Sequence, residues 1–215
     1  MWGWIWPEYC VQCGQLAWGD LNQGHCIFCV LTWPDLRGKA GSALVKSRVH
    51  VPWACAGFRI PGSDSLRARI HGLKYGGNRH WGREAGQWMA QGVEWPFGEE
   101  PVGLVPVPLH WRRKANRGYN QSEWIARGMA EVWGVPVWTR LLGRHKFGGS
   151  LTSKGRSARQ QQLQGTYAVS SPSQEQRHFV LVDDVLTTGS TCRAAAQVLE
   201  ADGGCWRGLA VWGLA

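Results

Sequence analysis

A chain of 215 residues with 24 Lys and Arg against 15 Asp and Glu carries a formal net charge of +9. That length holds one core of ordinary size plus a small satellite unit, and the charge draws anionic partners, phosphates foremost, although a merely solvated basic surface gives the same count. No apolar run approaches a membrane span, and "MWGWIWPEYC" lacks the basic and continuous apolar regions of a secretory signal, so a cytoplasmic protein without membrane insertion is expected.

Cys10 and Cys13, then Cys26 and Cys29, form two CxxC pairs with twelve residues between them. Two residues between thiolates let both sulfurs face one ion while turn amides stabilise their charge, and Gly14 is a permissive turn residue. Four sulfurs closing a tetrahedron make a structural Zn2+ site with no open position for catalysis; iron in the same cage and a metal-free remnant are the rivals. So small a unit buries too little apolar area to fold alone, and the metal supplies its folding free energy. The odd total of seven cysteines argues against a disulfide framework. Most of the fifteen tryptophans are expected in cores, but Trp2, Trp4 and Trp6 alternate outside any core pattern and suit stacking on the bases of a single strand.

Leu31 to Ala43, with Pro34, two glycines and mixed charge, reads as a linker, and the boundary near Lys39 divides residues 1–40 from a main domain of 41–215. "RVHVPWACAGFRI" alternates weakly and suggests a hairpin. Ser63 or Asp64 caps a helix whose apolar residues are Leu66, Ile70 and Leu73, and Gly76 with Gly77 stops it. A second helix is expected over Arg83 to Gln91, and a short buried strand over Val102 to Pro108. Asn120 followed by Glu123 marks the start of a helix with Ile125, Met129 and Val132 on its apolar face and Gly134 at its end. "VWTRLL" is a strand candidate, and the basic, glycine-rich residues from Gly143 to Gln162 read as a long loop. A strand through "HFVLV", a helix from Thr191 to about Ala201 and a last strand "GLAVWGLA" complete an alternation that implies a parallel α/β sheet.

The most informative segment is "HFVLVDDVLTTGST", from His178 to Thr191. Its apolar half delivers the chain to the carboxyl rim of a sheet, where open α/β folds bind ligands. Asp183 and Asp184 are acceptor-only groups suited to two neighbouring ribose hydroxyls. Thr187, Thr188, Gly189, Ser190 and Thr191 then wrap into a helix N-terminus whose free amides favour a phosphate. The competing reading makes the aspartates turn caps and the hydroxyls helix caps.

The full string resembles the thirteen-residue 5-phosphoribosyl 1-diphosphate (PRPP) motif of type I phosphoribosyltransferases: an apolar strand, two acidic residues, then T-T-G-x-T. The resemblance implies PRPP binding, with Mg2+ held by the ligand's hydroxyls and diphosphate, in a Rossmann-like parallel sheet. "VPVPLHWRRKANRGYNQSEWIA", from Val105 to Ala126, is similar to the signature of the ComF competence-protein family, and "LRARIHGLKYGGNRHWGREAGQWMA" resembles that family's earlier lysine-tyrosine helix. The N-terminal four-cysteine unit belongs to the same architecture. One departure lies in "SARQQQLQGTYAV", where Ala158 and Gln162 replace the expected glutamate and asparagine around Arg159.

Carried onto this chain, the resemblance makes Asp183 and Asp184 the ribose pair and Thr187, Thr188, Gly189, Ser190 and Thr191 the phosphate cup. Leu109, His110, Arg112 and Arg113 take the place of the diphosphate loop, with Arg117 as a further anion contact and Lys74 as a weaker one. It implies a PRPP-binding, phosphoribosyltransferase-like protein that handles incoming single-stranded DNA in natural transformation, meeting competence proteins such as a DNA helicase. Lys146, Lys154, Arg156 and Arg159 are the candidate DNA contacts. The alternative is an active transferase in nucleotide metabolism. Transfer needs a hood over the anomeric carbon, expected from residues 42–100 or from the cysteine unit, and the sequence offers no acid or base to name as catalytic. A zinc-ribbon interaction protein that keeps the motif unused is a third reading.

Overall fold

The computed structural model describes residues 35–60, 79–109, 118–144, 166–170 and 177–215, together with the backbone of residues 8–9 and 16–17. Those last two pairs, β1 (Glu8–Tyr9) and β2 (Leu16–Ala17), form an antiparallel ladder. Among the described residues, α1 (Lys39–Arg48), β3 (Trp53–Arg59), α2 (Arg79–Gln91), β4 (Val102–Pro106) and α3 (Gln121–Trp133) follow in order. The chain continues through β5 (Leu142–Arg144), β6 (Tyr167–Val169), β7 (His178–Leu186), α4 (Ser190–Ala201) and β8 (Cys205–Leu214). The main sheet is wholly parallel, with strands in the order β3-β8-β7-β4.

Two cores follow from the period of two along a strand, which sends successive side chains to opposite faces. Ala54, Ala56, Val105, Leu181, Leu209 and Val211 face α1 and α4. Cys55, Leu104, Val180, Val182, Ala210 and Trp212 face α2 and α3. The near-continuous apolar runs of β4 and β7 are what a parallel strand covered on both faces requires. On the first face, the antiparallel β5–β6 pair adds Leu142 and Tyr167 to the core.

The connections explain where the sheet opens. From β4 the chain passes through α3, on the second face, to a parallel bridge between Val137 and Leu104 at the outer edge. From β7 it passes through α4, on the first face, to β8 in the opposite direction. Crossovers of one hand that travel in opposite directions must use opposite faces. The reversal falls between β4 and β7, and at such a switch point the carboxyl ends of the two strands leave a crevice.

Several elements depart from what the sequence suggests. The linker reading fails from Lys39 onward: α1 starts there, and Gly41 and Val45, four residues apart, are buried on one stripe. The stretch from Arg48 to Ile60 is not a hairpin but the end of α1 and one parallel strand, whose outer edge is met by Asp35 and Leu36. Val132 is 40% exposed while Ile125 and Met129 are fully buried, so the apolar stripe of α3 is narrower than expected. Of "VWTRLL", Val137 makes a bridge, a turn follows, and only Leu142 enters a strand, β5. Gly143 and Arg144, expected in a loop, belong to β5. The helix expected between Ser63 and Leu73 lies outside the described residues.

No helix among the described residues is long and apolar enough to cross a membrane. Cys55, Cys192 and Cys205 are free thiols.

Candidate site at the switch point

β4 and β7 pair in register from Val102 with His178 to Pro106 with Val182, and the Val107 amide donates to the Val182 carbonyl at 2.9 Å. Asp183 therefore emerges where β4 ends, beside the segment that starts at Pro108 and Leu109. The start of α3 closes the crevice from the second face. Asn120, expected to cap that helix through its side chain, does not: its Nδ2 donates to the Val107 carbonyl at 3.1 Å, tying α3 to the end of β4. Glu123 does not complete a capping box either, because it pairs with Arg127 at 2.9 Å.

Asp183 is 8% exposed. Its Oδ1 accepts from the Asp184 amide at 2.9 Å and from Ser122 Oγ at 3.3 Å, and its Oδ2 faces the Cys192 thiol at 3.5 Å. Burial first, and the neighbouring Asp184 charge second, push the Asp183 carboxyl well above its ordinary range. The Cys192 thiol is also driven up, by burial and then by Asp183. Asp184 is half-buried, and its Oδ1 accepts from the Val185 amide at 2.8 Å. The two carboxyls thus differ: one is enclosed and held by α3 and α4, the other stands nearer to solvent.

Beyond Leu186 the chain turns through Thr187 and Thr188 into Gly189, which takes the left-handed conformation at φ 74° and leads into α4. A side chain there would be strained, and its Cβ would also collide with Val49. The hydroxyls of Thr188 and Ser190 lie 3.1 Å apart across this turn. The structure accordingly brings Asp183, Asp184, Thr187, Thr188, Gly189, Ser190 and Thr191 together at one rim, with Leu109 on the adjoining strand end.

Ser122, Cys192, Arg48 and Arg193 also belong to this site and were not singled out from the sequence. Arg193 had one signal, its place one turn into α4, but its partner Arg48 lies 145 residues away. His110, Arg112, Arg113, Arg117 and Lys74 lie outside the described residues, as do Lys146, Lys154, Arg156 and Arg159 and the four cysteines Cys10, Cys13, Cys26 and Cys29. Among the described residues no group of three His, Cys, Asp or Glu side chains gathers to hold a metal ion. The Asp183–Asp184 pair by itself fits a cation only if a ligand brings most of the donors.

The fold and this rim define an α/β protein with a parallel sheet and a two-carboxylate, hydroxyl-lined crevice at its switch point. Competence protein F of Haemophilus influenzae is 35% identical over 119 residues, which are 54% of this chain and 50% of that protein. The DNA utilization protein YhgH of Salmonella typhi is 33% identical over 103 residues, 48% of this chain and 45% of that protein, and YhgH of Escherichia coli K12 is 34% identical over 104 residues, with the same shares. The chain is thus similar, over about half of its own length, to a competence protein and to DNA utilization proteins. The chain spans about half the length of the curated relatives it matches. No protein-family model matches it.

Proposed function

We propose that this protein binds PRPP at the β4–β7 switch point and acts in the uptake and handling of single-stranded DNA. The observation that carries the PRPP reading is the continuity of the rim: the carboxylates of Asp183 and Asp184 run directly into a glycine-centred turn at the N-terminus of α4. The relatives' names, a competence protein and a DNA utilization protein, support the biological half of the reading.

In this reading the 5-phosphate sits on the amides and hydroxyls of Thr187 to Thr191, where the α4 dipole favours an anion. Asp184 and Asp183 accept from the ribose hydroxyls. The diphosphate lies toward Leu109 and the cationic segment of His110, Arg112, Arg113 and Arg117. Mg2+, when brought by the ligand, supplies neutralisation of the diphosphate charge. A structural Zn2+ on Cys10, Cys13, Cys26 and Cys29 belongs to the same proposal, and metal analysis finding one zinc per chain checks it.

Calorimetry with PRPP and Mg2+ tests the reading. Asp183→Asn and Asp184→Asn should each weaken binding: by about 1.5–3 kcal/mol for Asp184 if its bond to a ribose hydroxyl is charge-assisted, and by less for the enclosed Asp183, whose carboxyl is pushed toward its protonated form. Unchanged affinity in both variants assigns the motif to folding alone. Pyrophosphate release with any of the five common bases would move the protein to the transferase reading.

A further inference from the structure

The turn that enters the cup is gripped from behind by two arginines. Arg193 donates Nη2 to the Thr188 carbonyl at 2.9 Å and Nη1 to the Arg48 carbonyl at 2.8 Å. Arg48, the last residue of α1, donates Nη1 to the Thr187 carbonyl at 2.9 Å and to the Leu186 carbonyl at 3.3 Å, and it also contacts the Ala215 carbonyl. The carbonyls of Thr187 and Thr188 thus end on guanidinium groups, and that of Leu186, which accepts from the Ala215 amide at 3.0 Å, lies within reach of the same Arg48 nitrogen. In a trans peptide the N–H points away from the C=O. Fixing those carbonyls toward the arginines turns the following amides the other way, toward the crevice. The amides of Thr188 and Gly189 have no hydrogen-bond partner among the described residues.

We infer that Arg193 and Arg48 are positioning residues for a phosphate monoester: a brace that fixes the carbonyl side of the turn so that its amide side is preset for the anion. The inference rests on the PRPP reading for the identity of the ligand but not for the brace itself. Planar guanidinium, with several donors in a fixed fork, can span two carbonyls; a lysine keeps the charge but concentrates it at one point. Charge alone and geometry therefore make different predictions for Arg193→Lys.

The experiment compares the full-length protein with Arg193→Lys and Arg193→Met, using ribose 5-phosphate and inorganic pyrophosphate as separate probes. Expected is a loss of at least about tenfold in ribose 5-phosphate affinity in both variants, with pyrophosphate affinity unchanged, because a preset site loses binding when its supporting shell is removed. Wild-type affinity for ribose 5-phosphate in both variants overturns the brace. So does full retention in Arg193→Lys, which reduces the role to charge, and so does an equal loss for both probes, which reports general destabilisation. If the wild-type protein binds neither ribose 5-phosphate nor PRPP, the functional reading fails, and amide hydrogen exchange still decides the brace. Faster exchange at Thr188 and Gly189 in Arg193→Lys, at unchanged melting temperature, supports it, and unchanged exchange overturns it.

Discussion

Asp183 sits where a carboxylate is least comfortable, enclosed and next to a second acid, and among the described residues it faces a serine, a thiol and one amide. Its raised pKa makes a stability prediction with a definite sign. Between the unfolded carboxyl value of about 3.9 and the raised folded value, the native state binds more protons than the unfolded chain. Stability contributed by the protonated group is complete below that unfolded value and is lost as pH rises through the folded one. Urea denaturation of the wild-type protein across this window should therefore show stability falling as pH rises, and Asp183→Asn, which cannot ionise, should flatten that component. A slope that survives the substitution would place the proton uptake elsewhere.

The closest helix contact has its own test. α2 and α3 cross with Gly86 against the backbone of Ile125 and Gly128 against the backbone of Arg83, so that a Cβ at either glycine would fall within the neighbouring carbonyl. On a free helix surface, Gly→Ala stabilises by about 1 kcal/mol. Here the sign reverses, because backbone cannot move aside as a flexible side chain can. Gly128→Ala is expected to cost about 1–3 kcal/mol, the usual range for overpacking, read as a lower urea midpoint at unchanged m-value. Because α3 also carries Asn120 and Ser122 to the crevice, the same variant should weaken ligand binding more than its distance from Asp183 suggests.

Across the molecule, what could be foreseen divides by the range of the interaction. β4, β7 and α4 were legible because apolar runs, paired acids and a glycine before a helix are local signals, and so was Gly134, which ends α3 in the left-handed conformation. The grouping of Asp183 and Asp184 with the turn into α4 at one rim was legible for the same reason. β3 was not, since nothing near Trp53 announces a partner strand at Gly208. α1 was hidden because its glycine looks like a linker residue until Leu36 is seen packed against it. Ser122 and the arginine brace are products of tertiary assembly, and no spacing rule reaches across 61 or 145 residues; Cys192 is near in sequence, but only the turn of α4 shows that its thiol faces Asp183. The +9 charge is likewise a property of the whole chain. If it serves single-stranded DNA, affinity should fall with salt at a log-log slope of about 0.7 per phosphate neutralised. Replacing Lys146, Lys154 and Arg156 with Ala should make that slope shallower in oligonucleotide titrations. An identical slope moves the DNA surface to other residues, and no binding at low salt removes the DNA role.

The amino ends of the strands, opposite the crevice, hold a knot of indoles: Trp53, Trp95 and Trp133 have ring centroids 4.8 to 6.1 Å apart, with Phe97 edge-on to two of them. Chromophores this close do not absorb independently. Their transitions mix, and the mixture is chiral because the rings are held at fixed angles. The consequence is an optical signature: circular dichroism in the strong far-ultraviolet indole band should carry a paired positive and negative feature from this cluster, shrinking in Trp95→Phe to what the Trp53–Trp133 pair supplies and persisting when ligand fills the far rim. Trp95→Phe also removes an indole N–H that is buried with no hydrogen-bond partner among the described residues, so its cost in stability should fall below that of an ordinary aromatic truncation. The protein thus carries a built-in light-reading gauge of packing at one end that is blind to chemistry at the other.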